Sequence, residues 1–166
     1  MGNLLNQEPD YVLSQNRWGV TREYLYESGM LFREFTSYWK IGVLPLVHIT
    51  IGINPQTGQR VWAKGFIAIG RKAVGIVAIG QLAVGLLAIG QMAIGLVLAL
   101  GQLSVSGLFA VGQMAAGIVA IGQFSAGFYS LGQFAAGKFV FSVKTRDYEA
   151  VIFFKSLFKW GTTLLR

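Results

Sequence analysis

The chain of 166 residues contains no cysteine, one histidine, three prolines and only seven acidic side chains. Without cysteine there is neither a disulfide framework nor a thiolate-ligated zinc or iron–sulfur centre. The single histidine, His48, stands among apolar residues with no carboxylate beside it in sequence. A lone imidazole makes neither a metal site nor a triad, so a structural role is expected for it. The acids all lie in the terminal segments, at Glu8, Asp10, Glu23, Glu27, Glu34, Asp147 and Glu149, and form no paired-carboxylate constellation. Phosphate loops, dinucleotide fingerprints and nucleophile elbows are also missing. These absences lead us to expect a non-enzymatic protein without cofactor or metal.

Charge is scarce as well. Charged residues make up 13% of the chain and hydrophobic ones 54%, which excludes a disordered tail and fits an ordinary water-facing surface poorly. From Ala73 to Gly137 there is no charged residue at all. The net charge of +7 therefore sits at the flanks of this block: Arg60, Lys64, Arg71 and Lys72 before it, and Lys138, Lys144, Arg146, Lys155 and Lys159 after it. Nucleic acid needs a distributed basic track and is disfavoured as a partner, whereas an apolar band between basic rims is the pattern of a membrane-contacting protein.

What fills the silent block is glycine at a strict period. It recurs at 65, 70, 75, 80, 85, 90, 95, 101, 107, 112, 117, 122, 127, 132 and 137, so that twelve of fourteen intervals are five residues and two are six. Alternate units carry glutamine after the glycine, at Gln81, Gln91, Gln102, Gln113, Gln123 and Gln133, so the chemical repeat is ten residues. A period of this kind marks a repeat architecture before any propensity is considered. Transmembrane helices fit the hydrophobicity, but five residues advance a helix by about 500°, and the block offers no Pro, Asn or Asp for helix connections. A β-solenoid accounts for the period, each five-residue unit forming one side.

On this pattern the chain resembles the pentapeptide-repeat family, as a distant, Gly-rich and hydrophobic variant over residues 65 to 141. The resemblance implies an all-β core: a four-sided solenoid of five-residue repeats with about 20 residues per coil and a large apolar residue at each central, inward position. Val77, Leu82, Leu87, Met92, Leu103, Phe109, Met114, Val119, Phe124, Tyr129 and Phe134 match that position, and Lys72 falls on it too. Gln81, Gln102 and Gln123 would then line one side and Gln91, Gln113 and Gln133 the opposite one, as stacked amides bonded to one another or, less simply, as a polar ligand or ion site. Such a stack makes roughly 3.6 coils and rises about 17 Å, short of the bilayer core of ~30 Å. The two six-residue units, at 95 to 106, read as local bulges.

The flanks complete the expected organisation. Residues 1–42 read as an amphipathic helical segment, with Tyr24, Leu25, Leu31, Phe32, Phe35, Tyr38 and Trp39 between charges. Residues 43–64 read as entry strands around an Asn54-Pro55-Gln56-Thr57-Gly58 turn, 65–141 as the solenoid, and 142–166 as a basic amphipathic helix. In that last helix Lys155, Lys159, Thr162 and Arg166 share one side and Ile152, Phe153, Leu157, Trp160 and Leu164 another. Tyr38, Trp39, Trp62 and Trp160 are candidate interfacial aromatics. Gly2 with Asn6 lacks the Ser/Thr of a myristoylation signal, and no cleavable leader is apparent. The expected function is that of a membrane-associated scaffold or accessory subunit. Its partner would be the lipid bilayer or an integral membrane protein, with homo-oligomer formation or membership of a larger complex. The alternatives are a soluble self-assembling solenoid, which would bury its apolar sides in copies or partners, and a small helical transporter or channel subunit.

Overall fold

The computed structural model describes residues 10–164; Gly2, Asn6, Glu8 and Arg166 lie outside them. Two compact units divide the chain, Met1–Gly85 and Leu86–Arg166. Both contain β-solenoid coils, about eight in all, and no helix among the described residues is long and apolar enough to cross a membrane.

The first unit opens with strands β1 (Val12–Gln15), β2 (Gly19–Leu25) and β3 (Leu31–Ser37), continues through a small hairpin of β4 (Lys40–Ile41) and β5 (Leu44–Pro45), and reaches β6 (Val47–Ile51) and β7 (Trp62–Gly70). β1, β2, β3 and β6 pair antiparallel in that order, and β6 then pairs parallel with β7. The helix expected within residues 1–42 is thus a β-meander over its described part. The mixed charges that suggested helical neighbours are cross-strand partners: Glu23 stands opposite Arg33 and Arg22 opposite Glu34, both as ion pairs. Opposite charges and aromatic pairs such as Tyr24 and Phe32 support antiparallel pairing across a sheet as well as they support a helix face. The turn at Glu27-Ser28-Gly29, with Gly29 at φ 80°, decides between them. This meander covers the edge of the first coil, which would otherwise be an open template for pairing.

From β7 the chain coils. β8 (Lys72–Ser106) begins with Trp62 paired to Lys72, Gly65 to Gly75 and Ile69 to Ile79, an offset of ten residues. In the second unit, β8 pairs with β9 (Phe109–Gly132) at an offset of eleven, from Leu98 with Phe109 to Val105 with Ala116. The offset returns to ten where β9 meets β10 (Phe134–Ser142), from Phe124 with Phe134 to Gly132 with Ser142. One coil is therefore one chemical repeat, with two five-residue segments in place of the four sides expected. The six-residue units lengthen successive coils by a residue each. A coil of ten residues also halves the chain needed per ~4.8 Å of rise, so the coils of the second unit alone rise about 26 Å, against the 17 Å expected for the whole stack.

The interior explains the short coil. Ala63, Ala68, Ala73, Ala78 and Ala83 in the first unit, and Ala88, Ala99, Ser104, Ala110, Ala120 and Ser130 in the second, are all 0% exposed. Each five-residue segment thus turns its small fourth residue inward, and the six-residue segment from Gly95 to Leu100 its fifth, Ala99. The larger third residues, expected inside, lie on the outer surface, where Met92, Met114, Phe124 and Phe134 are exposed. Alanine or serine fills this place between segments so close together, up to the last strand, where Val140, in register with Ser130, takes it. Lys72 needs no special account once its position faces outward, where its Nζ lies 5.3 Å from the Trp62 ring centre. Two buried methyl groups per coil supply only about 1.5 kcal/mol of apolar burial, so backbone pairing and the outer columns must carry much of the stack. Those columns do touch: Phe124 stacks on Phe134 at 5.1 Å and Tyr129 on Phe139 at 5.1 Å.

Glycine here answers to space more than to dihedral angle. None of the coil glycines has positive φ; among the described residues that is confined to Gly29, Gly42, Gly52 and Gly58. A Cβ at Gly75, Gly80, Gly101, Gly122 or Gly127 would instead overlap the carbonyl oxygen of the glycine one coil earlier.

A single helix, α1 (Tyr148–Leu164), follows β10. Ala150 and Phe154 are fully buried against Val119, with Tyr129, Phe139, Phe141, Phe153 and Leu157 around them, and Phe153 stacks on Tyr129 at 4.1 Å. The side facing the coils is thus Ala150, Phe153, Phe154 and Leu157, whereas Ile152 and Trp160, expected on that apolar side, are exposed. Between β10 and α1 the chain doubles back on the last strand. The Val140 amide donates to Asp147 Oδ2 at 2.7 Å and the Asp147 amide to the Val140 carbonyl at 2.9 Å, which closes part of the final edge.

Candidate functional surfaces

In the second unit the residue after each coil glycine falls on one of two outer columns. Gln91, Gln102, Gln113, Gln123 and Gln133 follow the glycines of one segment; all are exposed and succeed one another by one coil. Gln81 occupies the same position in the first unit and is exposed too. Since coils hold ten residues, the Gln91-to-Gln133 set runs down a single side, not alternately on two. Leu96, Leu108, Ile118 and Phe128 follow the glycines of the other segment and form an exposed apolar column, with Lys138 next in the series. Lys138 Nζ lies 5.2 Å from the Phe128 ring centre and 5.4 Å from that of Phe139, so the charge sits directly against the end of the apolar column.

α1 adds to this second segment. Its solvent side carries Tyr148, Ile152, Phe158 and Trp160 together with Lys155 and Lys159. Lys144 and Arg146, on the connection before it, are exposed. The rim residues expected in the second unit therefore lie on the surface, and Trp160 is exposed on the helix.

The remaining rim residues belong to the first unit. Arg60 and Arg71 line one groove with Thr50, Ile69, Ile79 and Gln81, and Lys64 is exposed. Tyr38 and Trp39 are exposed at the start of the β4–β5 hairpin, and Trp62 is half-buried beneath Lys72.

One polar cluster was invisible in the sequence. Glu34, nearly buried on β3, binds Arg22 of β2 through Oε2 and accepts a hydrogen bond at Oε1 from His48 Nε2 at 2.9 Å. The Lys64 backbone amide donates to His48 Nδ1 at 2.9 Å, which leaves Nε2–H to donate to Glu34. The His48 hydrogen bond foremost, and Arg22 with it, hold the Glu34 carboxyl below the usual carboxylate range against the opposing pull of burial. His48 thereby ties the N-terminal meander to the first coil strand. Recognising the β2–β3 hairpin would have revealed Arg22 opposite Glu34; the His48 contact spans fourteen residues and has no local signal. No group of three or more metal-ligating side chains occurs among the described residues.

Comparison with protein families, with curated proteins and with solved structures finds no match. The functional reading therefore rests on the surfaces themselves.

Proposed function

We propose that the protein is a non-enzymatic, membrane-associated solenoid that serves as a scaffold or accessory subunit. The supporting observation is the exposed column of Leu96, Leu108, Ile118 and Phe128, which stays open after α1 has docked and has Lys138 next in its series. Backbone pairing between successive coils satisfies the polar groups that hydrocarbon would penalise, so a coil surface can meet acyl chains without a helix. Lys138, Lys144, Arg146, Lys155 and Lys159 supply cations at headgroup level, and Trp160 an amphipathic anchor. The tie to the pentapeptide-repeat family is one of five-residue spacing; the ten-residue coil sets the chain apart from it.

Membrane fractionation with carbonate and then detergent tests this reading, alongside flotation with vesicles containing phosphatidylserine. The full chain is expected to resist carbonate and to require detergent. Ile118→Glu with Phe128→Glu, both at exposed positions, is expected to move it to the supernatant with an unchanged strand-rich circular dichroism spectrum. A wild-type chain that stays soluble without detergent and fails to float refutes the proposal.

A further inference from the structure

The opposite segment of the second unit carries a different message. Its third-position column enlarges along the chain, Met92, Leu103, Met114, Phe124, Phe134, while its fifth-position column shrinks, Ile94, Val105, Ala116, Ala126, Ala136. Register pairs Leu103 with Met114 and Val105 with Ala116, then Phe124 with Phe134 and Ala126 with Ala136, so both trends run straight down the stack. The result is a ridge beside a groove. A concavity of about 320 Å³ lies where they meet, lined by Leu103, Met114, Phe124 and Phe134 on one side and Ala116 and Ala126 on the other. Coil formation does not require this, because Ile94 and Val105 occupy the fifth position earlier in the same unit.

We infer that this face binds a second copy of the chain, ridge into groove. A two-fold axis parallel to the coil stack, placed between the two columns, sets Met114, Phe124 and Phe134 of one copy against Ala116, Ala126 and Ala136 of the other. The interface is isologous, and the coils of Met114, Phe124 and Phe134 repeat the fit because both copies share the ~4.8 Å spacing, whereas Ile94 and Val105 leave no groove opposite Met92 and Leu103. The available area is modest. Met92, Met114, Phe124 and Phe134 are 48%, 54%, 52% and 60% exposed. At about 200 Å² for each large side chain these four offer roughly 430 Å² per copy, with the Gln columns flanking them, so the contact lies toward the small end of protein interfaces, for which the standard size is ~800 Å² per partner. The same symmetry sends the two glutamine columns to opposite edges, giving an apolar core between two polar rims. Hydrocarbon is the poorer occupant of this face, because it would strand five exposed amides without hydrogen-bond partners.

The test uses the full, naturally cysteine-free chain in mild detergent, with sedimentation velocity for oligomeric state. The wild type is expected to form a dimer. Ala126→Ile with Ala136→Ile fills the groove with a residue that the same column already holds at Ile94, so coil formation should survive, and the dimer dissociation constant is expected to rise at least about tenfold. For geometry, Phe124→Cys protein mixed with Ala126→Cys protein is expected to give a hetero-disulfide in preference to either homo-disulfide. A wild-type monomer, or a Phe124→Cys homo-disulfide as the main product, overturns the inference. So does loss of vesicle flotation in the Ala126→Ile, Ala136→Ile variant with the dimer unchanged, which would place lipid in the groove. Because flotation is assigned to Ile118 and Phe128 on the other segment, failure of the dimer and failure of membrane association are read separately.

Discussion

Replacing Gly127 by alanine tests the central claim about how the coils stack. The added Cβ would overlap the Gly117 carbonyl oxygen, with the Gly117 carbonyl carbon and the Ile118 oxygen each 3.2 Å away, and all three are backbone atoms. No side chain can swing clear, so the coils must separate locally. Forced overpacking of this kind costs about 1–3 kcal/mol, and weakening one or two of the interstrand hydrogen bonds adds roughly 1 kcal/mol. Against this, alanine restricts the unfolded chain and returns about 0.4–1 kcal/mol. The expected net loss is therefore about 1–3.5 kcal/mol, or about 2–14 °C in midpoint for a chain of this size. Gly29→Ala is the control: Gly29 has φ 80° but nothing within 4 Å of a new Cβ, so only the left-handed backbone cost of about 1 kcal/mol applies. Thermal and urea unfolding followed by circular dichroism in detergent would compare the two. If Gly127→Ala costs less than Gly29→Ala, the glycine period does not reflect close approach of successive coils, and the account of the ten-residue coil fails with it.

Three further outcomes are expected. Phe154→Ala should cost about 3–5 kcal/mol and reduce the helical signal at 222 nm, because that ring is fully buried between α1 and the coils; an unchanged spectrum and midpoint would mean the helix does not depend on that contact. Ser125 Oγ is a buried hydroxyl without a hydrogen-bond partner, whereas Ser130 Oγ donates to the Ala136 carbonyl at 2.7 Å. Ser125→Ala should thus stabilise, and Ser130→Ala destabilise, each by about 1 kcal/mol in the same unfolding assay, and equal effects would contradict the assignment. Glu34 has a carboxyl held below its unfolded value, chiefly by the His48 hydrogen bond, so its contribution is fully present above the ordinary glutamate range and is lost as pH falls through the lowered folded value. The stability gap between wild type and Glu34→Gln should accordingly narrow in acid, and parallel pH profiles would refute it.

How much of this was legible in the sequence depends on which residue one takes to face inward. The glycine period announces a solenoid and the absence of charge announces apolar sides, but a ten-residue chemical repeat closes equally well on coils of ten or twenty. The deciding signal was the monotonous Ala or Ser at the fourth place, as at Ala78, Ala83, Ala88 and Ala110. An interior of that size fits only a narrow coil, whereas Leu or Phe inside would demand a wide one. Attention to the large third residues concealed this. α1 was legible from its spacing, although Phe154 rather than Trp160 faces the coils, since amphipathic spacing names a helix before it names the stripe that docks. The N-terminal meander was misread because Arg22, Glu23, Arg33 and Glu34 satisfy helical and cross-strand pairing alike.

A stack of nearly identical ten-residue coils has translational symmetry along its axis, and a polymer with that symmetry can slide by a whole repeat at little cost. The irregularities of the second unit remove the degeneracy. The eleven-residue offsets around Leu98 to Ala116 match one another and no ordinary coil, and the Ala150–Phe154 side of α1 finds Val119 at one level only. The extra residues at 95 to 106 thus work as a notch in a ruler, fixing which coil is which while leaving the total number of coils open to change in steps of ten residues.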